Sequence, residues 1–542
     1  MKTVVAGALG ECVHVAGIYN FLRLAEQAGW RTVFLGPAVS PERFIQALID
    51  EKADLAGVSY RLTPETGELL LGDFAEQADD LRARGVRFLF GGTPPVAEKA
   101  QQLSGFFDGI FDGSQSPEDL LAYLRGEAAD AQGPGKYPDT LIERIGWKAP
   151  YPILRHHFGL PTMEATLEGI AQISEAKALD VISLGIDQDA QANFFHPERQ
   201  NPQARGAGGV PVRSEEDYTA LYAASRTGNY PLMRSYSGTD DFIRLAEMYM
   251  RTIHNAWCAI PLFWFNAMDG RGPLDLETSI VEHQKVMQWY GERGVPVELN
   301  EPHHWGMRDA SDVTYVVSAF LSAWNARAFG VKNYIAQMMF NSPSGTSDRM
   351  DLAKMLALLE MAEALEGEGF KVWRETRTGL LSYPLEDNAA RAHLSATISV
   401  QMALRPQIVH IVGHTEADHA ATADDVIAAS RMARHVITRA IEGKPDPLGE
   451  GRIRARKAHL LKEAKITLQA IKNIAPSDVK DPFTDPATLT LAVKYGIMDA
   501  PQLKNNAFAP GKVATRIIDG GCDAVDENGD PISESERLAA YL

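Results

Sequence analysis

Thr3-Val4-Val5-Ala6-Gly7-Ala8-Leu9 is an unbroken apolar run, and His14 to Ala28 beyond it has a helical pattern. The same alternation returns four times. Apolar runs at Thr32 to Leu35, Leu55 to Ser59, Phe88 to Phe90 and Gly109 to Phe111 alternate with helical stretches such as Pro41 to Glu51. Five short strands separated by helices predict an α/β unit over residues 1–126, a doubly wound parallel sheet. In such a sheet ligands sit outside the carboxyl ends of the strands, so the loops that follow strands are where binding residues are expected.

Beyond it, Glu127-Ala-Ala-Asp-Ala-Gln-Gly-Pro-Gly-Lys-Tyr-Pro138 lacks periodicity and carries helix and strand breakers, which predicts a linker over 127–150. Eight β-like runs follow: Pro152 to His157, Asp180 to Leu184, Pro231 to Tyr236, Cys258 to Phe265, Val295 to Asn300, Tyr334 to Phe340, Phe370 to Thr376 and Ile408 to Val412. Amphipathic stretches such as Met163 to Ala178 and Leu276 to Glu292 separate most of them. Eight strand-helix units over 151–440 match the size of a (β/α)8 barrel of the TIM type. Residues 441–542 begin with a basic helical stretch and end in a turn-rich acidic tail, and are expected to form an appendage that closes over or braces the barrel.

Composition narrows the function. The 542 residues are 45% hydrophobic and 23% charged, as expected of a globular enzyme, and the length calls for more than one core. A formal net charge of -18 repels phosphate backbones and anionic lipid heads, so neither nucleic acid nor a membrane surface is an expected partner. Cys12, Cys258 and Cys522 form no CxxC pair, which argues against a zinc ribbon, an iron-sulfur motif or a disulfide framework and fits a reducing cytoplasm. Glu11 and His14 interrupt the first apolar run before it reaches the length of a signal peptide core, and a cytoplasmic location is expected.

Three features of the first unit fall at strand ends on one sheet edge: Cys12-Val13-His14-Val15-Ala16-Gly17, Val58-Ser59-Tyr60-Arg61-Leu62 and Phe90-Gly91-Gly92-Thr93. Taken singly, His14 reads as a surface or helix-cap histidine, Ser59 as a strand-end cap and Gly91-Gly92 as a turn. Together they resemble the cobalamin-binding domain, whose signature is DxHxxG, then SxL, then GG, on a flavodoxin-like fold. The resemblance implies His14 as the lower axial ligand of cobalt. It also implies that Gly17 lets the cofactor's nucleotide tail pass, that Ser59 and Leu62 of the SxL element meet it, and that Gly91 and Gly92 wall its slot. Gly113 falls near the nucleotide base. The family's aspartate is replaced by Cys12, so either His14 or the cofactor's own base is left as the lower ligand.

The second unit resembles the barrel subunit of glutamate mutase (methylaspartate mutase), an adenosylcobalamin-dependent carbon-skeleton mutase. The matching stretches are Leu179 to Asp187, Tyr230 to Arg234, Ala328 to Asn333 and Tyr495 to Asp499. The resemblance implies a radical isomerase with the cobalamin domain fused in front of the barrel, and a corrin ring held where the small unit meets the barrel mouth. Three arginines clamp substrate carboxylates in that family. Arg234 falls at one position, Arg205 near another, and the third lies close to Arg155 but aligns better with His157; as isolated residues, the arginines also read as surface ion pairs. The lysine and glutamate that hold the adenosyl ribose fall in Val412 to His419, where His414, Glu416 or Asp418 are the candidates to replace them. The glutamate that meets the substrate amino group has no counterpart in the apolar Trp257 to Trp264, so the expected substrate is a small carboxylate other than glutamate.

Asn300-Glu301-Pro302-His303-His304-Trp305 follows the fifth barrel strand; its adjacent histidines point different ways, which favours substrate or cofactor contact over a metal site, with Glu301 or His303 as a general acid or base. Two other readings stay open: a cobalamin-dependent transferase or eliminase, and a non-catalytic cobalamin carrier or sensor. The resemblance also implies a homodimer.

Overall fold

The structure, a computed structural model, describes residues 2–103, 105–113, 117–125, 137–441 and 447–542. The chain forms two compact units, Met1–Lys136 and Tyr137–Leu542.

In the first unit β1 (Thr3–Ala8), β2 (Arg31–Phe34), β3 (Leu55–Tyr60), β4 (Arg87–Gly92) and β5 (Gly109–Phe111) form a parallel sheet in the order β2-β1-β3-β4-β5. This is the flavodoxin-type order, with its switch point between β1 and β3. Both central strands are buried throughout, as their apolar composition requires. The helices Pro41–Asp50, Pro64–Ala83 and Pro94–Gln101 all open on proline, whose missing N–H is not needed in a first turn. Gly57 in β3 is held to glycine by packing: a Cβ there would lie 2.5 Å from the Phe21 ring of the helix Ala16–Gln27.

The second unit is built on β6 (Ile153–Phe158), β7 (Val181–Leu184), β8 (Leu232–Arg234), β9 (Cys258–Ile260), β10 (Val297–Leu299), β11 (Asn333–Phe340), β12 (Lys371–Thr378) and β13 (Ile408–His410). All are parallel, in the order β8-β7-β6-β13-β12-β11-β10-β9. At the seam between the two ends, Ala256 N donates to Met233 O at 2.8 Å and Ser235 N to Asn255 Oδ1 at 3.1 Å, so the sheet is a nearly closed eight-stranded barrel.

Inward-facing residues stack in layers, as barrel geometry demands. The amino-terminal layer is apolar: Ile153, Val181, Leu232, Trp257, Ile335 and Ile408, sealed from below by Leu141 and Ile145. Those last two lie on the helix Leu141–Lys148, within a stretch expected to be a linker. Thr140 caps this helix by accepting from Glu143 N, and its buried face plugs the barrel floor; the flanking breakers obscured its short helical pattern. Residues 127–136 of the expected linker lie outside the described residues.

The expected strand Cys258 to Phe265 is also shorter, ending at Ile260. Pro261 cannot donate to a ladder, and the Leu262 and Phe263 N–H groups turn to the Glu301 carboxylate at 2.6 and 3.0 Å. The appendage braces the barrel wall: the helix Gly451–Ile474 packs on the outer helices Asp312–Ala328 and Asp348–Glu363. From it Arg456 bridges Asp312 at 3.0 Å and Asp523 at 2.8 Å, the latter on the antiparallel hairpin of β14 (Ala514–Ile518) and β15 (Gly521–Val525). Among the described residues no helix is long and apolar enough to cross a membrane.

Candidate functional site

At the carboxyl edge of the first sheet the loops after β1, β3, β4 and β5 surround a groove of about 480 Å³. Gly17, Ser59, Gly91, Gly92 and Gly113 all line it, so five residues far apart in sequence meet there. The glycines act in two ways. At Gly17 and Gly91 an added Cβ would meet no protein atom within 4 Å, so a side chain at either would extend into open space beside the groove. At Gly92 a Cβ would lie 2.8 Å from Tyr60 O, and Gly113 has φ of +90°, so these two are glycines for the backbone's sake. Leu62 is 39% exposed and does not line the groove; Arg61 beside it does.

His14 sits just before the helix Ala16–Gln27 with its ring exposed. Its Nδ1 lies 3.8 Å from the Sγ of buried Cys12. A thiol is a weak acceptor, so this contact orients the imidazole without the charge that a carboxylate would lend it. A narrow slot walled by glycine, next to an exposed imidazole, fits a cobalamin whose tail enters the sheet edge.

The second unit presents a different chemistry. Above its apolar floor the barrel holds a fully buried polar layer made of Arg155, Ser183, Arg234, Glu298, Gln337 and Glu375. Arg155 Nε donates to Glu375 Oε1 at 2.9 Å, and its Nη2 reaches both Glu375 and Glu298, the latter at 3.4 Å. Glu298 also accepts from Trp257 Nε1 at 2.7 Å and Gln337 Nε2 at 2.6 Å. Arg234 Nε donates to Ser183 Oγ at 2.9 Å, while its Nη1 has no hydrogen-bond partner and stands 3.7 Å from Glu298.

The next layer toward the carboxyl ends carries His157, Tyr236, Arg377 and His410. His157 stacks on Tyr236 with centroids 5.2 Å apart and meets His410 edge-on at 5.0 Å. Burial, reinforced by the nearby arginines, pushes His157, His303 and His410 well below the ordinary imidazole range, so they are neutral at pH 7. Burial pushes the Glu298 carboxyl up, but Arg234 and Arg155 more than offset it and hold it low. Glu375 is raised, by burial and by Glu298 across from it, despite Arg155.

The remaining candidates scatter. Arg205 follows the turn Pro202–Ala204 with its side chain exposed, outside the buried layers that hold Arg155 and Arg234. Glu301 is buried and fully engaged: besides Leu262 and Phe263 it accepts from Trp305 Nε1 at 2.7 Å, and burial raises its carboxyl to about 7. It ties two loops together through three of its acceptor sites. His303, on the buried turn Glu301–Gly306, keeps an Nδ1 with no partner. His414 is buried with both ring nitrogens unpartnered, its Nε2 3.7 Å from Asp425, whereas Glu416 and Asp418 are exposed.

Glu298, Gln337, Glu375, Arg377, Tyr236 and His410 were not among the sequence candidates. Their signal was available: single polar residues inside otherwise apolar strands, as in Val297-Glu298-Leu299, need a polar partner once both faces are covered.

Comparison with known proteins bears on the first unit. Residues 2–122 match the family described as B12 binding domain. The glutamate mutase sigma subunit of Clostridium tetanomorphum is 29% identical over 132 residues, which are 23% of this chain and 93% of that protein. Among solved structures, a cobalamin-binding protein from Desulfitobacterium hafniense DCB-2 aligns at 16% identity and a TM-score of 0.20, over 23% of this chain and 56% of that one. A tryptophan synthase from M. tuberculosis aligns at 12% identity and a TM-score of 0.30, over 53% of this chain and 93% of that one. The chain therefore carries a B12-binding domain, built as a five-stranded parallel sheet with its groove at the carboxyl edge.

Proposed function

We propose that this protein is an adenosylcobalamin-dependent carbon-skeleton mutase, a radical isomerase acting on a small carboxylate other than glutamate. The observation that carries the reading is the barrel's buried layer of arginine and glutamate, placed just above an apolar floor, in a chain that also holds a B12-binding domain. When bound, adenosylcobalamin supplies a carbon radical able to take a hydrogen atom from an unactivated C–H bond.

The chain's own residues then have four tasks. Gly17, Ser59, Gly91, Gly92 and Gly113 hold the nucleotide tail in the groove, with His14 at its mouth as the candidate cobalt ligand. Arg234, whose Nη1 is buried without an acceptor, offers a guanidinium fork to a carboxylate. The neutral His157 ring, with Tyr236 stacked on it, walls the space beside it, and both side chains offer hydrogen bonds. His414, buried with neither ring nitrogen hydrogen-bonded and on the loop after β13, is the residue we assign to the adenosyl ribose. The apolar stretch Leu262 to Phe265 replaces a polar strand end and favours a substrate with no amino group to satisfy.

Anaerobic incubation with adenosylcobalamin and a panel of small acids tests this by electron paramagnetic resonance. The expected result is a cobalt signal coupled to an organic radical that appears only with the right acid. Tight cofactor binding with no radical for any acid would favour a transferase, eliminase or carrier, and turnover of glutamate to methylaspartate at an ordinary enzyme rate would overturn the substrate assignment.

A further inference from the structure

Arg377 lies on β12 two residues beyond Glu375, so its side chain points into the barrel one layer nearer the carboxyl ends. It is 7% exposed. Among the described residues its guanidinium makes no hydrogen bond and no ion pair, and its Nε is buried without an acceptor. Every other arginine of the barrel interior has a partner: Arg155 is held by Glu375, Glu298 and Ser183, and Arg234 by Ser183. The two buried glutamates bond Arg155, Trp257 and Gln337, and although Glu375 Oε2 has no hydrogen-bond partner, neither glutamate makes an ion pair with Arg377.

Among the described residues no carboxylate lies within ion-pair distance of Arg377; Glu375 and Glu416 favour its charge only from farther off. In register beside it on β13 is His410, with His157 next to that ring. His303 borders the same space, and its chemistry is shaped by the charge of Arg377. The three imidazoles are neutral and present a buried Nδ1 without a hydrogen bond at both His303 and His410, the latter 3.6 Å from Glu375 Oε1. A guanidinium taken out of water and left unpaired is strongly unfavourable, and an apolar side chain of the same size would be the stable choice. Such a residue is suited to an anion brought from outside the chain.

We propose that Arg377 binds the carboxylate of the substrate at the carboxyl-terminal end of the barrel, a role in which the exposed Arg205 takes no part. The assignment rests on the mutase reading for the identity of the ligand, a small organic acid, but not for the existence of an anion site. Bidentate contact through the guanidinium fork suits a carboxylate, with the His410 and His303 rings as additional hydrogen-bond partners. An inorganic oxyanion would satisfy the same charge, so the test includes one.

Isothermal titration of the cobalamin-loaded full chain with propionate, succinate and inorganic phosphate decides the matter, on the wild type and on Arg377→Met, Arg377→Lys and a Lys285→Met control at an exposed helix position. The expected result is that at least one of the two acids binds more tightly than phosphate. Arg377→Met should weaken that acid by about tenfold or more, Arg377→Lys by a smaller factor because charge remains without the fork, and Lys285→Met should leave it unchanged. Equal affinity in Arg377→Met, no acid binding to the wild type, or tighter binding of phosphate than of either acid overturns the proposal. Should Arg377→Met fail to fold, unchanged affinity in Arg377→Lys overturns it instead. If the acid binds through Arg377 and no acid yields a radical, the anion site stands and the mutase reading alone falls.

Discussion

Arg155 and Glu375, 220 residues apart in sequence, meet across neighbouring parts of the barrel wall with Nε and Oε1 2.9 Å apart, and neither side chain has any exposure. The pair is a connection between β6 and β12 that straddles β13, so it ties three consecutive strands of the barrel wall together. Removing one member leaves a buried charge unpaired, which costs about 3–5 kcal/mol, whereas replacing both with apolar residues of similar size is close to neutral. Arg155→Met is therefore expected to lower the unfolding free energy of the second unit by about that amount, and Arg155→Met/Glu375→Leu to recover most of it. Chemical denaturation followed by the fluorescence of buried tryptophans such as Trp257 reads the difference. A double variant as unstable as the single one would show that the layer is kept for packing that the pair alone does not explain.

Neighbouring glycines in the groove should fail in opposite ways. Gly91→Val places its branches in open space, on a strand position that favours β-branched residues, so the apo-protein should melt as the wild type does while cobalamin is lost. Gly92→Ala pushes a methyl against Tyr60 O, and should unfold the first unit at a lower temperature whether or not cofactor is present. Absorbance of bound cobalamin after gel filtration, beside a thermal melt of each variant, separates occlusion from misfolding.

How much of this was legible in the sequence depended on whether a residue's partners lay near it. The strands were legible because apolar runs broken by proline and glycine stand out, yet Cys258 to Phe265 read as one strand when only its first three residues pair. A continuous apolar run does not reveal that Leu262 and Phe263 give their N–H groups to Glu301, 38 or 39 residues on. Gly17, Ser59, Gly91, Gly92 and Gly113 were named together by resemblance to the cobalamin-binding domain, and they line one groove because strand ends in a parallel sheet converge whatever the loops contain. Glu298, Glu375 and Arg377 were passed over for the opposite reason. Which face of a barrel strand turns inward, and which strand lies opposite, is settled only when the barrel closes. Arg155 was placed among the clamp residues by resemblance, and the structure adds that its hydrogen bonds go to protein carboxylates.

The lower cobalt ligand is open to a direct spectral test. With Cys12 in place of a carboxylate, the His14 ring has only a sulfur 3.8 Å from Nδ1. If His14 takes the cobalt, His14→Ala changes the absorption bands of the bound cofactor and weakens its retention; an unchanged spectrum means that the cofactor keeps its own base. Cys12→Ser should shift neither the spectrum nor the retention by more than a small amount, because the sulfur lends the imidazole almost no charge.

Two sets of buried groups oppose each other in their effect on stability with pH. His156 and His283, both depressed by burial to about 4, stabilise the fold above the ordinary histidine value and lose that contribution as pH falls toward 4; His157, His303, His304 and His410, lowered further, act in the same direction. Glu301 acts in reverse. Its carboxyl, raised from 4.5 to about 7, binds a proton in the folded chain that the unfolded chain has released, so its contribution is complete below pH 4.5 and is lost as pH rises through 7. Glu375, Asp351, Asp240 and Glu416 are raised as well and act with Glu301, so the comparison of variant with wild type, rather than the slope of the wild-type curve alone, isolates Glu301. In Glu301→Gln the opposing slope disappears while the amide still accepts from Leu262 and Phe263. The variant's stability relative to the wild type should then improve by about 3 kcal/mol across pH 4.5 to 7, the free energy of a shift of roughly 2.5 pKa units. Denaturant midpoints of both proteins at four or five pH values supply the comparison. Parallel curves would mean that Glu301 is already ionised in the fold, held so by its two backbone N–H donors and Trp305.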